Sequence, residues 1–477
     1  MFYEKKFLGK SMKYQKICFN FAGNSNKLPL KTQGYNFMMG DGLCSGLGLH
    51  EIAIPDAIPI TFPANTTVIK AWSYKFFSYL AQEELHLLIC YCSNNKLYRI
   101  SLSSLDLYAL DLTNIQLSST PEMLAYRIGG FDRAIFYSKD DILFWTSAAP
   151  PYIPSVDYKI KSAAVFGNKI LAALWEDEYK LHYCDIMSEP DFIITTAPDE
   201  DAGEIGIRKE FGPITRLLNF FDCLVVITEF GVLRLDLNEN GKFVLTECFL
   251  SDAKIYADTA AVCGSKIFML TTLGIYIFDG RRAKKSDVLE VPSYESLGQP
   301  VAAFFDGKYY LALKVHFDSN IVGDEAILGF VNNALIVINA DTMHKDTMRG
   351  FDICSFATVV EDRFAKLFVG TRGSRSDIMG EFCADGTNFG MPLKKAFKLL
   401  RFGADSAEKK TIRSICIRGT LDCILTVKDE ADKRNFCVVG GRINRFMVNM
   451  VSETFDIELT AQTSGKIDIL EIEFANI

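Results

Sequence analysis

One short pattern recurs along this chain and limits what it can fold into. Thr259-Ala-Ala-Val-Cys-Gly-Ser-Lys266 is matched position for position by Ser162-Ala-Ala-Val-Phe-Gly-Asn-Lys169 and by Val301-Ala-Ala-Phe-Phe-Asp-Gly-Lys308. Each copy ends in a two-residue turn of Gly, Asn, Asp or Ser, then Lys, then an apolar run. Those turn residues tolerate the backbone angles of a tight turn, so each copy predicts a β-hairpin. A second feature follows the hairpin. Thr228-Glu-Phe-Gly231 and Thr271-Thr-Leu-Gly274 lie 43 residues apart, and so do the aspartates that close the next strands, Asp236 and Asp279. One unit is therefore strand, tight turn, strand, Gly turn, strand.

Weaker copies begin at Tyr126, Arg216 and Phe356, which gives six starts at 126, 162, 216, 259, 301 and 356. A constant core with variable loops and a mean spacing of about 46 residues is the period of a four-stranded propeller blade. A degenerate unit over Trp72 to Leu112, with Leu85-His-Leu-Leu-Ile as its second strand, makes a seventh. The expected class is all-β: a β-propeller of seven blades, with six as the alternative, over residues 69–390. The paired alanines fall early in each unit, where the first strand lines a crowded axis. Insertions at Asp185 to Gly212 and His316 to Asn333 are expected to be rim loops.

The flanks differ from the repeat. Residues 1–68 hold two turn-rich stretches, Ala22 to Lys27 and Gly40 to Gly48, and read as an N-terminal arm packing on a neighbour or as a closing strand for the last blade. Residues 391–477 contain alternating strands such as Ile412–Arg418 and Phe455–Leu459, the pattern of a sheet with one wet face. They are expected to form a separate β-sandwich-like domain, and Pro392 to Phe402 reads as a helix or a strand.

Composition narrows function. Half of the 477 residues are hydrophobic, yet the longest apolar runs fall well short of the roughly 18 residues a membrane helix needs, so no membrane span is expected. The first ten residues carry charge without a following apolar run, unlike a Sec signal. The 13 cysteines, mostly inside apolar strands, read as reduced core thiols of a protein made in a reducing cytoplasm. The net charge of −8 is uneven: Pro392 to Arg445 carries 13 Lys/Arg against 6 Asp/Glu. Within it, Lys394, Lys395, Lys398, Arg401, Lys409, Lys410 and Arg413 form a candidate docking surface for an acidic face. An acidic remainder is a poor grip for nucleic acid.

Chemistry-bearing patterns are sparse. The five histidines, at 50, 86, 182, 316 and 344, make no close pair with each other, and no Cys-x-x-Cys occurs, so no metal site is expected. Gly40 to Gly48 lacks the strand and helix that a nucleotide loop requires. The acidic loop Pro198 to Glu204 lacks calcium-loop spacing. Asp222, Asp306 and Asp362 are the carboxylates a propeller glycosidase would offer, but they sit at hairpin turns, where Asp is favoured for geometry alone. No catalytic or cofactor-binding residue and no cofactor are expected.

The combined pattern resembles the β-propeller virion proteins of the tail nozzle and head–tail junction in short-tailed bacteriophages. The matching stretches are Asp306-Gly-Lys-Tyr-Tyr310, Leu273-Gly-Ile-Tyr-Ile-Phe-Asp-Gly280, Lys409-Lys-Thr-Ile-Arg-Ser-Ile415 and the ending from Arg445 to Phe474. The likeness covers most of residues 70–477 and lies in the order of elements. It implies a non-enzymatic subunit of a homo-oligomeric ring that meets other tail or connector proteins. Such a ring lets double-stranded DNA pass without tight binding, belongs to the virion and is assembled in the host bacterial cytoplasm. The alternatives are a propeller interaction scaffold and a carbohydrate-active propeller.

Overall fold

A computed structural model describes residues 3–477 apart from 21–31, 40–48, 103–106, 110–114, 195–201, 291–296, 316–328, 373–377, 384–394, 403–407 and shorter gaps. Among the described residues the chain is strand and turn, with a single 3-10 turn at Lys209–Phe211. It divides into two compact units: residues 57–343 with 351–381, and residues 1–56 with 344–350 and 382–477.

The larger unit is built on seven four-stranded antiparallel sheets, each a meander in sequence order except the last. The first strands of the seven sheets are Val68–Ser78, Glu122–Ile128, Ile160–Phe166, Ile214–Phe220, Ile255–Cys263, Val301–Phe305 and Asp352–Glu361. From the second blade to the seventh these strands pack on one another in sequence order, the last returns to the first, and Val68–Ser78 meets the second blade at Phe131–Tyr137. The fold is thus a closed seven-bladed β-propeller. The seventh sheet runs Asp352–Glu361, Phe364–Arg372, Ile378–Cys383 and then Ile54–Thr61, so its outer strand comes from the N-terminal part of the chain.

The repeated hairpins join the first and second strands. At Gly167-Asn168 both residues have positive φ, 60° and 58°, which is the backbone of a type I′ turn. Asp306-Gly307 repeats this with φ of 47° and 72°. The second strands are apolar throughout because a propeller sheet is covered on both faces. In Lys169–Leu174, Ile170 and Ala172 pack with Ile135 and Phe144 of the preceding blade. Leu171 and Ala173 pack with Leu224 and Val226 of the following one. Each such Leu, Ile or Phe buried contributes about 1.5–3 kcal/mol. The Thr-x-x-Gly motif also has one structure: the buried hydroxyls of Thr228 and Thr271 donate to the carbonyls of Gly231 and Gly274 at 3.1 and 2.9 Å.

Side chains tie neighbouring blades together near the axis. Ser162 Oγ accepts from the Leu217 amide at 2.9 Å, and Tyr309 Oη donates to the Thr259 carbonyl at 2.8 Å. Ring closure uses thiols: Cys354 Sγ donates to the Val68 carbonyl at 2.8 Å, and Cys90 Sγ lies 3.7 Å from Met379 Sδ. Cys90 and Cys92 share one apolar cluster with Ala357, Val359 and Phe368, while Tyr91 between them points to the opposite cluster. They are packing positions. None of the ten cysteines whose side chains are described is in a disulfide. Burial pushes the thiols of Cys92, Cys184, Cys263 and Cys423 up to about 12, so they are not nucleophiles at neutral pH.

The smaller unit is a β-sandwich. One sheet runs Tyr3–Phe7, Lys10–Asn20, Ile467–Asn476, Lys410–Gly419, Ile443–Ser452. The other runs Thr32–Tyr35, Lys395–Phe402, Phe455–Ala461, Cys423–Lys428, Lys433–Val438. Their inner faces share one core that includes Phe397, Ile415, Leu425, Ile457 and Ile472. Two expectations change here. Within residues 1–68 the closing-strand reading holds for Ile54–Thr61, which completes the last blade, whereas Lys10–Asn20 pairs with Ile467–Asn476 and Thr32–Tyr35 pairs with Lys395–Phe402 as strands of the sandwich and not as an arm. The insertion from Asp185 to Gly212 is not only a rim loop, because it returns as Gly203–Gly206, the outer strand of the third blade. The insertion at 316–333 lies mostly outside the described residues.

Tyr309 offers a test of the axial ties. Tyr309→Phe keeps the ring but strands the Thr259 carbonyl in an apolar setting. The expected loss is about 1–2 kcal/mol, read as a lower urea midpoint for the propeller's unfolding transition.

Candidate functional site

The N-terminal ends of the innermost strands converge on a cavity of about 520 Å³. Six of the seven blades contribute a polar or aromatic side chain to its wall. Lys70 and Trp72 come from the first blade, Glu122 from the second and Arg216 from the fourth. Tyr256 and Asp258 come from the fifth, Gln299 precedes the sixth, and Ser355 and Arg372 come from the seventh.

The charges in this cavity answer one another. Lys70 Nζ is paired with Glu122 and lies 3.6 Å from Asp258. Burial opposes its charge, but the two facing carboxylates outweigh that and hold its pKa above the usual lysine value. Arg216 donates to the Ala257 carbonyl at 2.8 Å. Arg372 meets Asp352 at 3.2 Å and donates to Gln299 Oε1 at 2.7 Å. Asp352 is itself fixed, since its carboxylate accepts from the amides of Val331 and Asn332 at 2.9 Å. Asn332, fully buried, donates to the carbonyls of Gln299 and Ile353 and so latches the sixth blade to the seventh. This close approach needs Gly298, whose φ is 73° and where a Cβ would lie 2.2 Å from the Val331 carbonyl. With three cations and two carboxylates in the wall beside Trp72 and Tyr256, and the buried Asp352 carboxylate behind Arg372, the cavity is polar and near neutral.

The expected carboxylates lie elsewhere. Asp222 and Asp306 sit on exposed hairpin turns, which follow the opposite ends of the innermost strands, and Asp362 lies outside the described residues. The carboxylates that reach the axis are Glu122 and Asp258. Sequence reading missed them because their partner Lys70 belongs to a blade whose repeat is degenerate. The signal was present: Asp258 immediately precedes the Thr259 copy, and Glu122 lies four residues before the Tyr126 copy.

The basic segment also needs correction. Lys410 is 3 % exposed, and Arg413 pairs with the buried Glu473 at 3.1 Å, so neither belongs to a free docking face. Lys409 is exposed. Lys395, Lys398 and Arg401 lie on the strand Lys395–Phe402, and Lys394 lies outside the described residues, as does Gly40 to Gly48. Among the described residues no helix is long and apolar enough to cross a membrane.

Sheet order and axial convergence define the class: a seven-bladed β-propeller joined in one chain to a β-sandwich. No protein-family model matches the chain, and no curated protein matches it. Solved structures with partial likeness include PorZ, a surface component of the type-IX secretion system of Porphyromonas gingivalis. It is 10 % identical, with 79 % of this chain and 46 % of PorZ covered and a TM-score of 0.41. Kluyveromyces lactis Hsv2 is 9 % identical over 60 % of this chain and 98 % of its own, with a TM-score of 0.35. Apo AztD from Citrobacter koseri is 11 % identical over 55 % and 69 %, with a TM-score of 0.33. The chain thus spans under half the length of PorZ.

Lys70→Met tests the axial ion pairs. Removing the ammonium leaves Glu122 and Asp258 facing each other, at an expected loss of about 1–2 kcal/mol after allowing for their partial exposure. Because the folded pKa of Lys70 is raised, its contribution is complete below the unfolded lysine pKa and fades as pH rises through the folded one. The thermal-midpoint gap between wild type and Lys70→Met is therefore expected to be constant near pH 7–9 and to shrink above about pH 10.5.

Proposed function

We propose that the protein is a non-enzymatic structural subunit of a tailed-bacteriophage virion. In this reading it forms a homo-oligomeric ring in the tail nozzle or head–tail connector, on the path by which DNA leaves. The observation that carries an assembly role is an exposed row on the sandwich. Ile443, Met447 and Val451, on the strand at one end of its sheet order, are 67 %, 54 % and 51 % exposed. Alternate positions of a strand share one face, so Arg445 and Asn449, both exposed, stand between them, and the face is a mixed row of three large apolar side chains, a cation and an amide. A mixed row of this kind is the surface on which we rest an assembly contact, with Ile443, Met447 and Val451 as its apolar part.

Two further features favour a structural role over catalysis. The carboxylates of the axial cavity are engaged by Lys70 and Arg372 and are not poised as an acid and base. Its charges balance, which suits a surface that must not hold a polyanion. The resemblance of the hairpins and the C-terminal strands to nozzle and connector proteins supplies the virion context. Lys409, which is exposed, is the cation of the basic segment that we retain for docking on an acidic neighbour.

Sedimentation of the full chain is expected to show a closed oligomer, and Ile443→Glu with Met447→Glu is expected to return it to monomer. A wild-type protein that is monomeric at all concentrations overturns the ring. Titration with duplex DNA at about 0.15 M salt is expected to show no submicromolar binding. Tight, salt-sensitive binding would replace passage with gripping.

A further inference from the structure

Outside the axis, one cluster on the third blade has the chemistry of a metal site. His182 lies on the strand Lys180–Asp185, and its register partner on the outer strand is Glu204. Asp177 lies in the turn that leads into the same strand. One ligand atom from each of the three lies within 4.8 Å of the others. His182 Nε2 faces Asp177 Oδ2 at 3.8 Å, beyond hydrogen-bond reach.

The imidazole carries the argument. His182 is 8 % exposed, and its Nε2 is buried without a hydrogen-bond partner. A buried ring nitrogen left unpaired is costly, so it points to a group that would satisfy it. Burial also lowers the pKa of His182, which favours the neutral ring that ligates metals. One imidazole nitrogen and two carboxylates suit a borderline divalent transition ion better than Mg²⁺ or Ca²⁺, which take oxygen ligands in larger number.

A resident cation already marks the place. Lys180 Nζ lies 3.1 Å from Asp177 Oδ2 and 3.0 Å from Glu204, bridging the two carboxylates without using the imidazole. Its side chain is 39 % exposed and its long stem can turn out to solvent. Exposed ion pairs of this kind are weak. Gly206, the register partner of Lys180, has open space where a Cβ would be, so the exit is not blocked.

We propose that Asp177, His182 and Glu204 bind one divalent transition-metal ion of the Zn²⁺ type, with Lys180 as the internal cation it displaces. Ligand bonds of about 2.0–2.2 Å require the three groups to close in by roughly 1 Å or less, within the freedom of half-exposed carboxylates. Three protein ligands leave at least one position for water or an incoming ligand atom. The proposal is independent of the virion reading.

The test uses untagged, full-length protein freed of metal and titrated with Co²⁺, then with Zn²⁺ as competitor. The expected result is one Co²⁺ per chain, no thiolate-to-metal charge-transfer band, and displacement by Zn²⁺. His182→Gln and Glu204→Gln are expected to weaken binding at least about tenfold, since even an outer-shell partner is worth 10–100-fold. Lys180→Ala is expected to tighten it, a gain that misfolding cannot imitate. The idea is overturned by a thiolate band, by binding that His182→Gln leaves unchanged, or by a Lys180→Ala variant that binds no better than wild type. A wild type that binds no Co²⁺ while Lys180→Ala also binds none overturns it equally.

Discussion

Each propeller sheet must bury both of its faces, and no sheet can do so alone. A four-stranded sheet with two apolar faces is satisfied only between two others. A row of such sheets is satisfied only if it closes on itself, which also protects the strand edges. This requirement explains the second strands, apolar at every position from Ile170 to Leu174 and from Cys223 to Ile227. It also explains why blade contacts use close packing near the axis, with Ser162, Thr259 and Tyr309 supplying hydrogen bonds where backbone groups would otherwise be stranded.

Much of the propeller was legible because its local signals repeat. Turn pairs such as Gly167-Asn168 and Asp306-Gly307 announce positive φ in the letters themselves, and Thr-x-x-Gly announces a side-chain clasp. What depended on distant pairing was not legible. That residues 1–68 could close the last blade was readable, but which of them do so was not: Ile54–Thr61 completes a sheet whose other members begin at Asp352. Lys410 and Arg413 read as surface charge, but register sets them beside Ile467–Asn476, where Arg413 meets Glu473. Periodicity reports which face a residue occupies and says nothing about what covers that face.

The charged groups follow the same division. Asp222 and Asp306 were visible as turn residues, and turn residues they are. Lys70, Glu122 and Asp258 meet because three blades point their first strands at one axis, a relation no window of sequence contains. His182 and Glu204 are neighbours only through strand register, across a stretch that reads as an acidic loop. In both places a half-buried lysine stands between two carboxylates. What separates the two is the buried imidazole of His182 beside Lys180, whose Nε2 the lysine leaves without a partner and a metal ion could take.

The outer strand of the seventh blade has a consequence in time. Ile54–Thr61 leaves the ribosome about 290 residues before the first of its sheet-mates. At roughly 5–20 residues per second, that strand waits some 15 to 60 s for a partner. During that interval its hydrogen-bonding edge is open to other chains being made nearby. The six preceding blades, each able to form from contiguous residues, can assemble in order as they emerge. The last joint is therefore the slow step of the ring, and a nascent chain is most vulnerable to capture by its neighbours just before that joint is made.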